Sequence, residues 1–326
     1  MFTQESGYRH KRRPLVAVVL SLVMAGLGQI YCGRIIRGLI FALLCTVPFA
    51  VIAGLFIHEP AIKVSFMLIT GFVSVVSLVA IIDSWYLAKH TKPDYELKDY
   101  NRWFVYLLLC LISMGGSTTY SLYFRDNYMQ AFRAPTTSNY PTILPGDRFL
   151  ANKLAYRNKD PQRGDLVVFV SPQNKRTTYI KRVVALTGDT VEIKSNDLYI
   201  NGQKLERIKL DDSILSKIKI EVQGKMLDGD IYEETNNGAK YKIFLKSGAE
   251  PKSADFAKVT VPDYHCFVLG DNRNLSEDSR HFGPIPLAAI KARADYLYWP
   301  AKGLDPIWAI KPQLSSVYIC ARFIPL

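Results

Sequence analysis

The chain has 326 residues, 49% of them hydrophobic, and its 41 Lys and Arg against 29 Asp and Glu give a net charge of +12. That length accommodates two domains. In a soluble protein such a charge would point to nucleic acid, but much of it flanks apolar segments, which fits anionic headgroups and orientation signals, and no zinc-knuckle, helix-turn-helix or RNA-binding pattern is present.

Apolar residues crowd into the first 124 positions. A basic tail (1–13) with Arg9, Lys11, Arg12 and Arg13 precedes the apolar run Leu15–Tyr31, the pattern of a secretory signal. Three more runs follow, Leu39–Ile57, Val64–Ile82 and Trp103–Phe124. A cleaved leader is therefore set aside for a membrane region over 14–124. The later three runs approach or reach the ~20 residues needed to span hydrocarbon. The first is shorter and ends in Gly26-Leu27-Gly28-Gln29, poor helix material. Lys89, Lys92, Lys98 and Arg102 mark the linker 89–102 as cytoplasmic, so run 103–124 exits and the remainder lies outside. Counting back leaves Arg34 and Arg37 inside. The expectation is three full spans, an inside N-terminus and a re-entrant or interfacial 15–31; the alternative is four spans with the tail outside. Asp83 is read as an interface residue and Trp85 as a headgroup anchor. The pattern from Leu20-Ser21 through Gly26–Gly33 to Asp83–Ala88 resembles a small membrane module attached to various bacterial proteins, a resemblance that implies no chemistry.

At the seam stands Thr136-Thr137-Ser138-Asn139-Tyr140-Pro141-Thr142-Ile143-Leu144-Pro145-Gly146-Asp147. Pro141 fixes its own φ and pushes Tyr140 towards extended backbone. Pro145-Gly146-Asp147 reads as a tight turn. A serine on stiff extended backbone just outside a bilayer suggests a nucleophile for a chain emerging from it; a Ser/Thr-rich linker is the plainer alternative.

From residue 125 onward the pattern changes to short β-type runs: Arg148–Lys153, Asp165–Val170, Tyr179–Leu186, Thr190–Lys194, Leu198–Ile200, Lys217–Val222, Lys240–Leu245, Cys266–Leu269 and Ala292–Trp299. Asn201-Gly202 after Leu198–Ile200 is a strong hairpin signal. The fold class expected is an N-terminal helical transmembrane region followed by a mainly antiparallel β domain over 125–326. The stretch 203–262 reads as an elaboration whose charges form a solvated face. Of the five cysteines, only Cys266 and Cys320 fall in this domain and could pair. With no Cys-x-x-Cys and no His-Glu-x-x-His, neither a metal nor a cofactor is expected.

Two further segments join the serine stretch: Arg163–Phe169 with Tyr179–Glu192, and Gly270-Asp271-Asn272-Arg273-Asn274-Leu275-Ser276-Glu277-Asp278-Ser279-Arg280. Strand alternation puts Lys181 on the face of Val183 and Ala185, and Arg182 on the other with Ile180 and Val184. An exposed basic pair on an edge strand is the bland reading. The functional one is a lysine base beside a serine. A free lysine, pKa ~10.4, is neutral about once in 2,500 molecules at pH 7, and burial lowers the value by up to ~3–5 units. A neutral Lys181 then takes the Ser138 proton as the hydroxyl attacks a peptide carbonyl. The Ser138 N–H and the Thr136 hydroxyl are candidate oxyanion donors. A Ser-His-Asp scheme would use His265 or His281, but no Gly-x-Ser-x-Gly elbow is present.

Together the three segments resemble type I signal peptidase, the Ser-Lys membrane endopeptidase that releases exported proteins from their signal peptides, over roughly 131–193 and 263–300. The resemblance implies Ser138 as nucleophile, Lys181 as general base, Thr136 and the Ser138 N–H as the oxyanion hole, and Ser276 orienting Lys181 by accepting a hydrogen bond. Arg182 with Asp271, and Asp278 with Arg280, become structural ion pairs. It also implies substrates with small residues at positions −1 and −3, membrane lipid and the protein-export machinery as partners, and a site on the outer face of a bacterial cytoplasmic membrane. The chain departs from the family's pattern at Asn139, where Met is usual, at Thr136-Thr137, and in its larger membrane half. A processing peptidase dedicated to a secretion or conjugation system, an inactive binding module of the same fold, and a self-cleaving regulator are the rivals.

Overall fold

The computed structural model describes residues 12–55, 62–91, 98–210, 221–222, 225–226, 228–248, 255–299 and 324–325. Arg9, Lys11, Lys92, Cys320, most of 306–326 and positions 217–220 lie outside them. The chain divides into two compact units, Met1–Phe124 and Arg125–Leu326.

The first unit is helical. The run 15–31 forms α1 (Pro14–Val23) and α2 (Leu27–Tyr31), broken between them, and neither piece is long enough to cross hydrocarbon. α3 (Ile35–Leu55) and α4 (Ile62–His90) follow. Among the described residues, two helical stretches are long and apolar enough to span, Leu68–His90 in α4 and Trp103–Asn127, which is α5. Polar groups gather where α2 and α4 meet. The buried Gln29 amide donates to Ala80 O at 2.7 Å and to Asp83 at 3.2 Å. Asp83 also takes the Arg37 guanidinium at 2.5 Å, so it sits in an ion pair.

The second unit is antiparallel β. Its strands are β1 (Met129–Arg133), β2 (Arg148–Asn152), β3 (Leu166–Val170), β4 (Thr178–Leu186), β5 (Thr190–Lys194), β6 (Asp197–Ile200), β7 (Gln203–Lys204), β8 (Glu206–Lys209), β9 (Glu221–Val222), β10 (Lys225–Met226), β11 (Gly229–Asn236), β12 (Ala239–Lys246), β13 (Phe256–Thr260), β14 (His265–Leu269), β15 (Ile285–Pro286), β16 (Ile290–Trp299) and β17 (Ile324–Pro325). The main sheet runs β1-β2-β16-β3-β4-β14-β15, with β17 beside β16. Smaller sheets are β13-β5-β6-β7, β12-β11-β8 and the pair β10-β9. Asn201 and Gly202 close the β6–β7 hairpin at φ of 53° and 79°, the two left-handed positions of a type I′ turn.

β4 is the strand from which the site is built. Its second half is apolar on both faces because both are covered. One side buries Val183 with Val167, Phe169 and Val268, and the other buries Val184 with Ile193, Phe267 and Leu269. Beyond β4, Ala134, Ile143, Phe149 and Leu166 form a third cluster under the serine stretch.

Candidate active site

Ser138 does not lie on extended backbone as expected. It opens a run of turns over 138–142, where Tyr140 N–H donates to Thr137 O at 3.0 Å and Ile143 N–H to Asn139 O at 2.9 Å. The reason is tertiary: Tyr140 and Ile143 are driven into the core, which coils the segment between them. The tight turn at 144–147 forms as read, with Asp147 N–H bonded to Leu144 O and Gly146 at φ +91°, a conformation only glycine adopts freely. Two bonds between Ala134 and Gly146-Asp147 close this loop at its base.

Lys181 reaches Ser138 from β4. Its Nζ lies 2.9 Å from Ser138 Oγ, and the residue is only 4% exposed. Burial pushes the amine down to about 8, against the pull of Asp278, Asp271 and Glu277, with Arg280 assisting. The Tyr179 ring faces the same Nζ at 5.6 Å, and its hydroxyl donates to Glu277 at 3.3 Å. Thr136 is also in place. Its hydroxyl donates to Ser138 Oγ at 3.1 Å, and the Ser138 N–H points back to Thr136 Oγ1 at 3.4 Å. Both expected oxyanion donors are therefore engaged within the Thr136–Ser138 pair, the Thr136 hydroxyl on Ser138 Oγ and the Ser138 N–H on Thr136 Oγ1.

Asn139 is buried and its side-chain amide donates to Ile180 O at 2.8 Å, tying the residue after the serine to the residue before the lysine. Only nitrogen can face that carbonyl, so the amide orientation is determined.

Both expected ion pairs are formed. Arg182 grips Asp271 with two bonds of 2.6 and 2.7 Å, and Thr142 adds a third at 2.5 Å. Asp278 holds Arg280 through two bonds of 2.8 Å and accepts the Gly270 N–H. Burial disfavours the Asp278 charge, but Arg280 and these donors outweigh it and hold the carboxyl below its ordinary value. Ser276 departs from expectation. It is buried at 8% exposure, but its hydroxyl makes no hydrogen bond to Lys181 and instead lies against Asp278, whose charge it helps to hold.

Two contributors escaped the sequence reading although their segment was singled out. Asn272 donates its N–H to Ser138 O at 3.1 Å and its amide to Thr137 O at 3.2 Å. Gly270 is passed so closely that a Cβ there would lie 2.1 Å from Ser276 Oγ and 2.5 Å from Ser138 O. Gly270 matters for the side chain it lacks and Asn272 for bonds to two backbone carbonyls, neither of which residue type alone announces. Neither His265 nor His281 is hydrogen-bonded to Ser138, whose hydroxyl partners are Lys181 and Thr136. Among the described residues there is no cluster of His, Cys, Asp or Glu able to hold a metal. Cys266 is a free, buried thiol.

The family model described as signal peptidase, peptidase S26, matches residues 101–299. A signal peptidase I of Bacillus caldolyticus is 32% identical over 62% of this chain and 91% of its own length. Thylakoidal processing peptidase 1 of Arabidopsis thaliana is 30% identical over 59% of this chain, which spans 48% of that longer protein. A crystal structure of a signal peptidase I from Enterococcus faecalis is 32% identical, covering 41% of this chain and 97% of its own, with a TM-score of 0.25.

Proposed function

The chain belongs to the signal peptidase family, peptidase S26, a family of serine endopeptidases, and on that premise we propose that it removes signal peptides from exported proteins with Ser138 as nucleophile and Lys181 as general base. The observation that carries this reading is the 2.9 Å separation between a hydroxyl and a buried amine whose pKa is pushed down to about 8. A charged Lys181 donates across that distance; a neutral one accepts the hydroxyl proton. As Ser138 Oγ attacks the scissile carbonyl, Lys181 takes the proton and negative charge develops on the carbonyl oxygen. The Thr136 O–H then turns from Ser138 Oγ, and the Ser138 N–H from Thr136 Oγ1, to that oxygen. The Lys181 ammonium protonates the departing amine, and a water activated by the same lysine hydrolyses the acyl-serine ester.

The substrates on this reading are preproteins with small residues at −1 and −3, presented at the outer face of the cytoplasmic membrane by a multi-pass enzyme. Asn139 keeps a second reading in play, a peptidase dedicated to few substrates, because its bond to Ile180 O is one the family's usual Met has no group to make. The decisive experiment is cleavage of a preprotein panel by the full chain in membranes, with Ser138→Ala and Lys181→Ala as variants. Both should stay folded and lose cleavage; full activity of Lys181→Ala overturns the dyad. Cleavage of a single pilin-like substrate alone would select the dedicated reading.

A further inference from the structure

The hairpin β11–β12 falls in the stretch read as a solvated elaboration, yet it is bound to the catalytic loop by both backbone and charge. Phe244 N–H donates to Asp271 O at 2.8 Å, Arg273 N–H donates to Phe244 O at 3.1 Å, and Phe244 bridges Asn272 in parallel. The next turn is fixed by Lys246 N–H to Asn274 Oδ1 at 2.9 Å. Glu234 of β11, 1% exposed, receives both arms of Arg273 at 2.6 and 3.1 Å and the Tyr241 hydroxyl at 2.9 Å. The Tyr241 ring lies against the Arg182 guanidinium at 4.6 Å. Asn236 ties the hairpin to β4 through Val184 O at 2.9 Å.

Charge explains why such a residue sits there. The catalytic segments bury two guanidiniums, Arg182 and Arg273, against one nearby carboxylate, Asp271. Glu234 supplies the second anion, so the group of four is neutral. A buried guanidinium stripped of its partner is costly and moves to find water or another anion. Here such a movement displaces the loop that carries Asn272, and Asn272 is what holds Ser138 O and Thr137 O. Two residues, Arg273 and Asn272, therefore link Glu234 of the hairpin to the nucleophile turn.

We propose that β11–β12 is a positioning device for catalysis, with Glu234 acting through Arg273 and Asn272 on the nucleophile turn. The inference rests on Ser138 being the nucleophile. Its test uses the full chain in detergent or liposomes, a preprotein substrate, and the variants Glu234→Gln, Asn272→Ala and their double, assayed well below each measured Tm. Glu234→Gln keeps the side-chain volume and removes the charge. The expected result is a fall in kcat of about tenfold or more with KM within about twofold. The double variant should be no more than about twofold slower than Asn272→Ala alone, because both changes act on one path. Should Glu234→Gln fail to fold, Tyr241→Phe, which removes one hydrogen bond to Glu234 and keeps the ring on Arg182, should lower kcat by about threefold with KM unchanged. An unchanged kcat in the folded variant, or losses that multiply in the double, overturns the proposal. Activity in Ser138→Ala would instead remove the nucleophile assignment beneath it.

Discussion

Burial holds the Lys181 amine at about 8, well below its ordinary value of 10.5, a difference worth roughly 3 kcal/mol. Two outcomes follow from that single burial. First, on the proposed reading Lys181 acts as base only when neutral, so kcat/KM for preprotein cleavage should rise with pH and reach half its plateau near 8; a profile flat from pH 6 to 9 would contradict it. At pH 7 about one molecule in ten then carries a neutral base, against one in 2,500 for a free lysine. Second, between about 8 and 10.5 the unfolded chain binds more protons than the folded one, so stability rises with pH across that window and the full penalty stands below it. Lys181→Met removes the penalty and forfeits one hydrogen bond worth about 1 kcal/mol. At pH 7 this variant should unfold at a temperature no lower than the parent, by calorimetry.

Among the elements, those legible in sequence were strands whose alternation is apolar on the covered face. Thr190–Lys194 forms as read, and Arg148–Lys153, Asp165–Val170 and Ala292–Trp299 shift at their ends by one or two residues. β11 was invisible because the side chains it buries are Ile231, Glu234 and Asn236. Two of those three are polar, and their burial is justified only by partners from distant segments. The serine stretch misled for a related reason: Pro141 speaks to local preference, whereas Tyr140 and Ile143 coil the backbone by entering the core. The Asn201-Gly202 hairpin shows the converse, a local signal that nothing tertiary opposes. Gly202 at φ +79° should cost about 1 kcal/mol when replaced by Ala. Chemical denaturation would read that loss, while cleavage by the folded variant should match the parent.

The whole chain joins a helical unit to a β unit, and the family match begins ahead of α5 and ends on β16, leaving α1 to α4 outside it. On the proposed reading the acting groups, Thr136, Ser138 and Lys181, all lie in the second unit, and so do two carboxylates that bear on its response to acid. Asp278 and Asp189 are both held below the ordinary carboxylate value of 3.8 by their arginine partners and other hydrogen-bond donors, in spite of burial. Their contribution to stability is present above that value and is lost only as the pH falls further. If Lys181 is the base as proposed, cleavage should fail far earlier, as its amine gains a proton near 8. Circular dichroism of the full chain in detergent at pH 5 should therefore match that at pH 8, while cleavage is nearly absent. On that reading the enzyme can be stored silent: mild acid parks it intact beside its substrate, and a shift to alkali starts turnover from a common instant.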